Sequence, residues 1–233
     1  MLLTGFPAQA FETNCYVIAR EPGQECLVVD PGIGVLDRLE EVLSEHRLRP
    51  AAVLLTHGHL DHVYSVTPVC QGPAIPALIH GDDEYRLKDP LSSLGPGLIS
   101  MLERQFGTSA TWTEPSDVQV LTDREHVEIA GLSVEVLHAP GHTEGSAMLR
   151  LPEVPDVRGA DLDLTSTVLT GDVVFAGSIG RTDLPGGSPE AMLTSLREVV
   201  LGLDDASLLL PGHGPATTMA HERRTNPYLL EVS

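Results

Sequence analysis

The sequence predicts an α/β fold, and three observations carry that prediction. Two β-rich runs, residues 14–20 and 25–30, flank a Pro-Gly pair, the mark of a hairpin. A helical stripe follows over 35–47, and then a continuous apolar run, 51–55, of the kind buried between layers. Hairpin, helix and buried strand in that order belong to an α/β protein.

The elements follow one another along the chain. Within 35–47 the apolar residues fall at 35, 36, 39, 42 and 43 with charges opposite, and Pro50 is expected to stop the helix. A further strand is expected at 77–80. Residues 81–112 read as mostly helical, interrupted at Pro90 and at Pro96-Gly97. Strand character returns over 117–137, with Ala130-Gly131 as a hairpin turn. Two more strands bracket an acidic loop at 152–164. A helix with Pro189 near its start covers 189–201, and Ser207–Leu210 reads as a buried strand. No long linker or low-complexity segment divides the chain, so one domain spanning 1–233 is expected.

Composition narrows the class of function. The chain has 233 residues, 42% of them hydrophobic, enough for a sizeable core. A net charge of -19 argues against nucleic acid or anionic membrane as partner, because phosphate contacts need clustered Lys and Arg. No apolar run approaches the length of a membrane span. No basic residue precedes Arg20, unlike the start of a secretory signal. The three cysteines, Cys15, Cys26 and Cys70, are odd in number and show no CxxC spacing, which fits a reducing compartment. A cytoplasmic location is expected; the sequence sets no oligomeric state.

Ten histidines are present, and five fall in three short motifs. The first is His57-Gly58-His59-Leu60-Asp61-His62. Four coordinating side chains in six residues cannot all point inward from a regular strand or helix. They fit a loop between a strand end and a helix start, where Gly58 lets the backbone approach closely. The second and third are Pro140-Gly141-His142 and Pro211-Gly212-His213. Between them, Leu169-Thr170-Gly171-Asp172 ends another apolar strand. Each group lies just past an apolar strand, so all can converge at one edge of the sheets. Neutral imidazole and carboxylate suit borderline divalent ions, chiefly zinc and also iron or manganese. A surface loop is the bland alternative, but such a concentration of polar groups is costly unless it binds something. His46, His80, His126, His138 and His221 read as ordinary histidines.

The pattern HxHxDH, then a lone His, an Asp and a final His, resembles the metallo-β-lactamase superfamily over nearly the whole chain, from Thr13-Asn14-Cys15 to the terminal Thr225-Asn226-Pro227. The resemblance implies an αββα sandwich of two mixed β-sheets flanked by helices, with two metal ions at the open edge. It implies that His57, His59 and His142 hold one ion, that Asp61, His62 and His213 hold the other, and that Asp172 bridges. Antibiotic-degrading lactamases usually carry arginine in place of His62 and cysteine in place of Asp172. Residues 171–187 look instead like the glyoxalase II branch, hydrolases of hydroxyacyl-glutathione thioesters, in its short form without a helical C-terminal domain. In that branch a basic residue at the position of Arg181 contacts the thiol portion of the substrate; a neighbouring tyrosine contact is replaced here by Asp183. The expected reaction is hydrolysis of a small-molecule thioester such as S-lactoylglutathione by a hydroxide bridging the two ions, with Asp61 as the catalytic carboxylate that orients it. The alternative is a persulfide dioxygenase, also similar around Gly180–Asp183, with one iron held by His57, His142 and Asp172. RNA processing, a third activity of this fold, is disfavoured by the charge, and a non-catalytic binding module by the completeness of the ligand set.

Overall fold

The computed structural model describes residues 1–93, 100, 104, 112–156 and 163–233. Strands β1 (Leu2–Pro7), β2 (Asn14–Ala19) and β3 (Glu25–Val29) form an antiparallel meander. Helix α1 (Leu36–His46) then crosses to β4 (Arg49–Leu54), which pairs parallel with β3. Strands β5 (Ala77–His80) and β6 (Val118–Leu121) extend the same sheet in parallel, in the order β1-β2-β3-β4-β5-β6.

The second sheet comes from the other half of the chain. Strands β7 (His126–Ile129), β8 (Leu132–His138), β9 (Ala147–Leu151) and β10 (Ser166–Gly171) pair antiparallel in succession. After the small hairpin β11 (Val174–Phe175) and β12 (Ser178–Ile179), strand β13 (Ser207–Pro211) adds parallel to β10, and β14 (Thr217–Thr218) closes the edge. The order is β14-β13-β10-β9-β8-β7.

Alternation along the strands makes the layers. In β2, Cys15, Val17 and Ala19 face one apolar cluster, while Tyr16 and Ile18 face another. The first cluster lies between sheet one and α1, α2 (Leu60–Val63) and α3 (Val66–Gln71). The second fills the space between the sheets, where Leu27, Val29 and Leu54 share a core with Leu132, Val136 and Leu149. A third cluster packs the outer face of sheet two against α4 (Pro189–Ser195), α5 (Met219–Thr225) and α6 (Pro227–Val232). Each large aliphatic buried this way contributes about 1.5–3 kcal/mol. Helices, sheet, sheet and helices give the αββα sandwich expected from the family pattern.

Most of the expected elements are present, with three local differences. Pro50 does not stop α1. That helix ends in a left-handed Arg47, with Leu48 N–H donating to Leu43 O, while Pro50 sits inside β4 at a register shift opposite Cys26. A bulge is where a strand tolerates proline, since no ladder hydrogen bond is needed there. Residues 81–87 and 90–93 form 3₁₀ turns, and the rest of the helical expectation for 81–112 lies mostly outside the described residues. Helix α4 continues over Leu196–Val200 as a π-helical turn. Ala130 and Gly131 both take positive φ, 55° and 69°, as a tight hairpin turn requires. Among the described residues, no helix is long and apolar enough to cross a membrane.

Candidate metal centre

Four strands deliver the seven candidate side chains to one edge of the sandwich. His57 follows β4, His142 follows β8, Asp172 follows β10 and His213 follows β13. The HxHxDH segment is a strand end running into a helix start: His59 caps α2, and Asp61 and His62 occupy its first turn. The required close approach at Gly58 is to Arg86, whose Cβ would lie 2.6 Å from a Cβ at position 58. Gly212 is tighter still, since a Cβ there would overlap Asp172 Oδ1 and crowd His62 Cε1 at 2.7 Å.

The side chains gather into two groups with one carboxylate between them. His59 Nδ1 lies 3.1 Å from His57 Nε2 and 2.8 Å from His142 Nε2. Asp61 Oδ2 lies 3.3 Å from His213 Nε2 and 3.7 Å from His62 Nε2. Asp172 reaches both groups: Oδ1 is 3.4 Å from His62 Nε2, and Oδ2 is 3.5 Å from His142 Nε2 and 3.6 Å from His213 Nε2. His57, His59, His62, His142 and Asp172 are buried; Asp61 and His213 line the open side.

Two buried polar atoms among the described residues have no hydrogen-bond partner, His62 Nε2 and Asp172 Oδ1, and both face this cluster. An unpaired buried donor or acceptor costs about 1–3 kcal/mol. Their orphaning, together with an all-imidazole-and-carboxylate donor set and a Gly212 cradle that a Cβ would fill, fits divalent ions at this place. The groups His57–His59–His142, His57–His62–Asp172 and Asp61–His62–His213 each bring three donor atoms within 4.8 Å of one another.

The far side of most rings is also fixed, so that one nitrogen is left to face the cluster. Asp30 Oδ2 engages His62 Nδ1 at 2.9 Å, Arg181 O engages His142 Nδ1 at 2.7 Å and Phe11 O engages His213 Nδ1 at 3.0 Å. Thr56 Oγ1 stands 3.2 Å from His57 Nδ1 and donates to Asp30 Oδ2 at 2.6 Å. Thr13 Oγ1 donates to Asp61 Oδ2 at 3.0 Å.

Electrostatics divide the two groups. Burial first, and then the neighbouring imidazoles, push His57 well below the usual histidine range and His59 down to about 3. Burial also lowers His142, against the pull of Asp172. For His62 burial acts downward too, but Asp172, Asp61 and Asp30 outweigh it and raise the ring well above its ordinary value. His213 is raised in the same way by Asp61 and Asp172. Burial would raise Asp61 and Asp172, yet the charge of His62 above all, with the neighbouring imidazoles, holds both below the usual carboxylate range.

Arg181 lies beside the centre through its carbonyl, while its exposed guanidinium makes two 2.7 Å hydrogen bonds to Asp183. Sequence reasoning missed Asp30, Thr56, Thr13 and Asp83. Asp83 is fully buried and accepts from Gly58 N–H at 2.7 Å, Thr143 Oγ1 at 2.8 Å and Gly145 N–H at 2.8 Å, with Arg86 Nε at 3.1 Å. It therefore ties the loop of His57 and His59 to the loop of His142. Asp30 carried a signal of its own, because it too ends an apolar strand, and it takes φ 49°, a strained value for a non-glycine residue.

Comparison with known proteins identifies the family. The family model described as the metallo-beta-lactamase superfamily matches residues 8–213. The hydroxyacylglutathione hydrolase GloC of Haemophilus influenzae is 34% identical over 223 residues, covering 96% of this chain and 95% of its own. Among solved structures, the BLEG-1 B3 metallo-beta-lactamase superposes with a TM-score of 0.79 at 31% identity, covering 98% of this chain and 99% of that one. TTHA1623 in a di-iron-bound form gives 0.72 at 30% identity, with 97% and 99% covered. The chain belongs to the metallo-β-lactamase superfamily.

Proposed function

We propose that this chain is a binuclear metal-dependent hydrolase of small-molecule thioesters of the hydroxyacylglutathione type. The observation that carries the reading is the pair of three-donor groups sharing Asp172, with its two orphaned buried atoms. In this reading His57, His59 and His142 hold one ion, Asp61, His62 and His213 hold the other, and Asp172 binds both. Zinc suits the donor set, and iron or manganese would fit it as well; the di-iron form of TTHA1623 supports two ions on such a frame. The similarity to GloC over nearly the whole of both chains supports the thioester substrate.

Two divalent ions held there would acidify coordinated water to near neutrality and polarise a carbonyl oxygen. The chain's own residues do the rest. Asp61, held by Thr13, orients the attacking oxygen from the open side. Asp30, Arg181 O and Phe11 O fix the ring orientations of His62, His142 and His213. A thiolate needs little protonation to leave, because a free thiol has a pKa of about 8.5. The Arg181 guanidinium is exposed, so a substrate carboxylate can take the place of Asp183 upon it.

The test is release of free thiol from S-lactoylglutathione and from the same acyl group on other thiols, with a β-lactam and glutathione persulfide alongside. The β-lactam is included because the similar BLEG-1 is a B3 metallo-beta-lactamase. Thioester turnover well above β-lactam turnover supports the proposal. Oxygen uptake on the persulfide with one iron per chain would instead establish the dioxygenase alternative.

Two further results are expected. Replacing Asp30 with Asn keeps the shape but weakens its grip on His62 and Thr56, so zinc affinity should fall by about 10–100-fold. Competition against a chromophoric chelator measures this, and unchanged affinity would refute the assigned role. Metal entry should also release protons unequally. His57, His59 and His142 are lowered, so they are already neutral near pH 7, whereas His62 and His213 are raised and must give up protons. Affinity at the Asp61–His62–His213 group should therefore decline more steeply as pH falls from about 8 to about 6. Calorimetry in buffers of different ionisation enthalpy reads the proton count; equal release for both equivalents counts against the assignment.

A further inference from the structure

Glu222 on α5 and Asn226, the cap of α6, are fully buried polar side chains outside the seven-residue centre. Together they grip the turn of the β11–β12 hairpin by its backbone. Glu222 Oε2 accepts from Gly177 N–H at 2.8 Å, and Asn226 Nδ2 donates to Ser178 O at 3.0 Å, with Phe175 O at 3.4 Å. Asn226 Nδ2 also donates to Glu222 Oε2 at 2.9 Å, and Thr217 Oγ1 donates to Glu222 Oε1 at 2.7 Å. The amide nitrogen of Asn226 has to face this way, because all three of these neighbours are acceptors.

The hairpin they hold begins and ends on the metal centre. Its first arm leaves Asp172, and its second arm delivers Gly180 and Arg181. A Cβ at Gly180 would overlap Asp172 O and stand 3.1 Å from His142 Nδ1. Arg181 O engages His142 Nδ1 at 2.7 Å, and the Phe175 ring meets the His213 ring edge-on at 6.1 Å. Yet β11 and β12 form a two-stranded sheet of their own, outside both six-stranded sheets. A lone two-stranded hairpin is marginal in water. Val173 and Val174 pack into the third apolar cluster, but apolar burial is non-directional and does not set where the turn stands. The bonds to Gly177 and Ser178 are directional and do. A plain clip for the C-terminal helices would need only apolar contacts. It gives no reason to bury a carboxylate and an amide that match the donors and acceptors of one turn.

We propose that Glu222 and Asn226 are positioning residues for the metal centre. By holding the β11–β12 turn they set where Asp172 and the Arg181 carbonyl stand, and so couple the C-terminal helices to ion binding. The proposal rests on the reading of Asp172 as the carboxylate shared by two ions.

The experiment is zinc affinity by competition with a chromophoric chelator, on the full chain, below the melting temperature of every variant. Asn226→Asp sets an acceptor against two carbonyls and a carboxylate, while its other oxygen still accepts from Tyr228 N–H and caps α6. Asn226→Ser also keeps a cap but is too short to reach the hairpin. Glu222→Gln keeps the shape, with its oxygen toward Gly177 and Asn226 and its amide donating to Thr217 Oγ1. Both Asn226 variants should bind zinc about 10–100-fold more weakly, the range for partners one step removed from the ligands, and Glu222→Gln should stay close to wild type. A merely structural role lowers Tm and leaves the affinity of the folded protein alone. Wild-type affinity in a folded Asn226 variant, or a loss in Glu222→Gln as large as theirs, therefore overturns the proposal. Because zinc affinity is read without substrate, failure here leaves the thioester reading standing, and failure of thioester hydrolysis leaves this result standing.

Discussion

Asp172→Ala should lose more than about 100-fold in turnover and bind neither ion tightly, because outer partners alone are worth about 10–100-fold and this carboxylate touches both groups. Its two oxygens lie within 3.6 Å of ring nitrogens from His62, His142 and His213. The fold should survive, since β10 and β13 are held by their backbone ladder and by Val168, Leu169 and Leu209. Metal content and initial rate, measured on the same preparation, check this. A variant that keeps both ions and normal turnover would remove Asp172 from the centre.

Asp83→Ala is the second large effect, and it acts on folding as well as on chemistry. Four donors converge on this buried carboxylate, from Gly58, Thr143, Gly145 and Arg86. Removing one partner of a buried charged pair costs about 3–5 kcal/mol. In a chain of this size that corresponds to a fall in Tm of about 10 °C. Arg86 keeps Glu144 and Pro185 O, so the loss is partial rather than complete. Because the His57–His59 and His142 loops would separate, zinc affinity should fall together with Tm. A variant with unchanged Tm shows that the loops hold each other by other means.

Much of this arrangement was legible in the sequence, and the reasons differ by element. β2, β3, β4 and β13 are rich in apolar residues and largely buried, so composition marks them. The four ligand-bearing loops could be placed because each begins where such a run ends. β1 was not legible: it is a short edge strand interrupted by Gly5 and closed by Pro7, with no alternation to read. Helices α5 and α6 have seven and six residues, too few for a stripe, and are set instead by the caps Thr218 and Asn226. Asp83 was invisible because its partners are backbone groups 25 and 62 residues away, joined only when the sheets meet. Arg181 was legible as a candidate for substrate, but the sequence did not show that its carbonyl holds His142 while its guanidinium rests on Asp183.

The central claim is that hydrolysis depends on both three-donor groups acting through Asp172. The most direct measurement is S-lactoylglutathione hydrolysis by metal-stripped protein as zinc is added back stepwise, with bound metal counted at each step. The account predicts little activity at the first tight equivalent and a steep rise as the second fills. Full activity with one ion per chain, or no thioester hydrolysis at any occupancy, would contradict it.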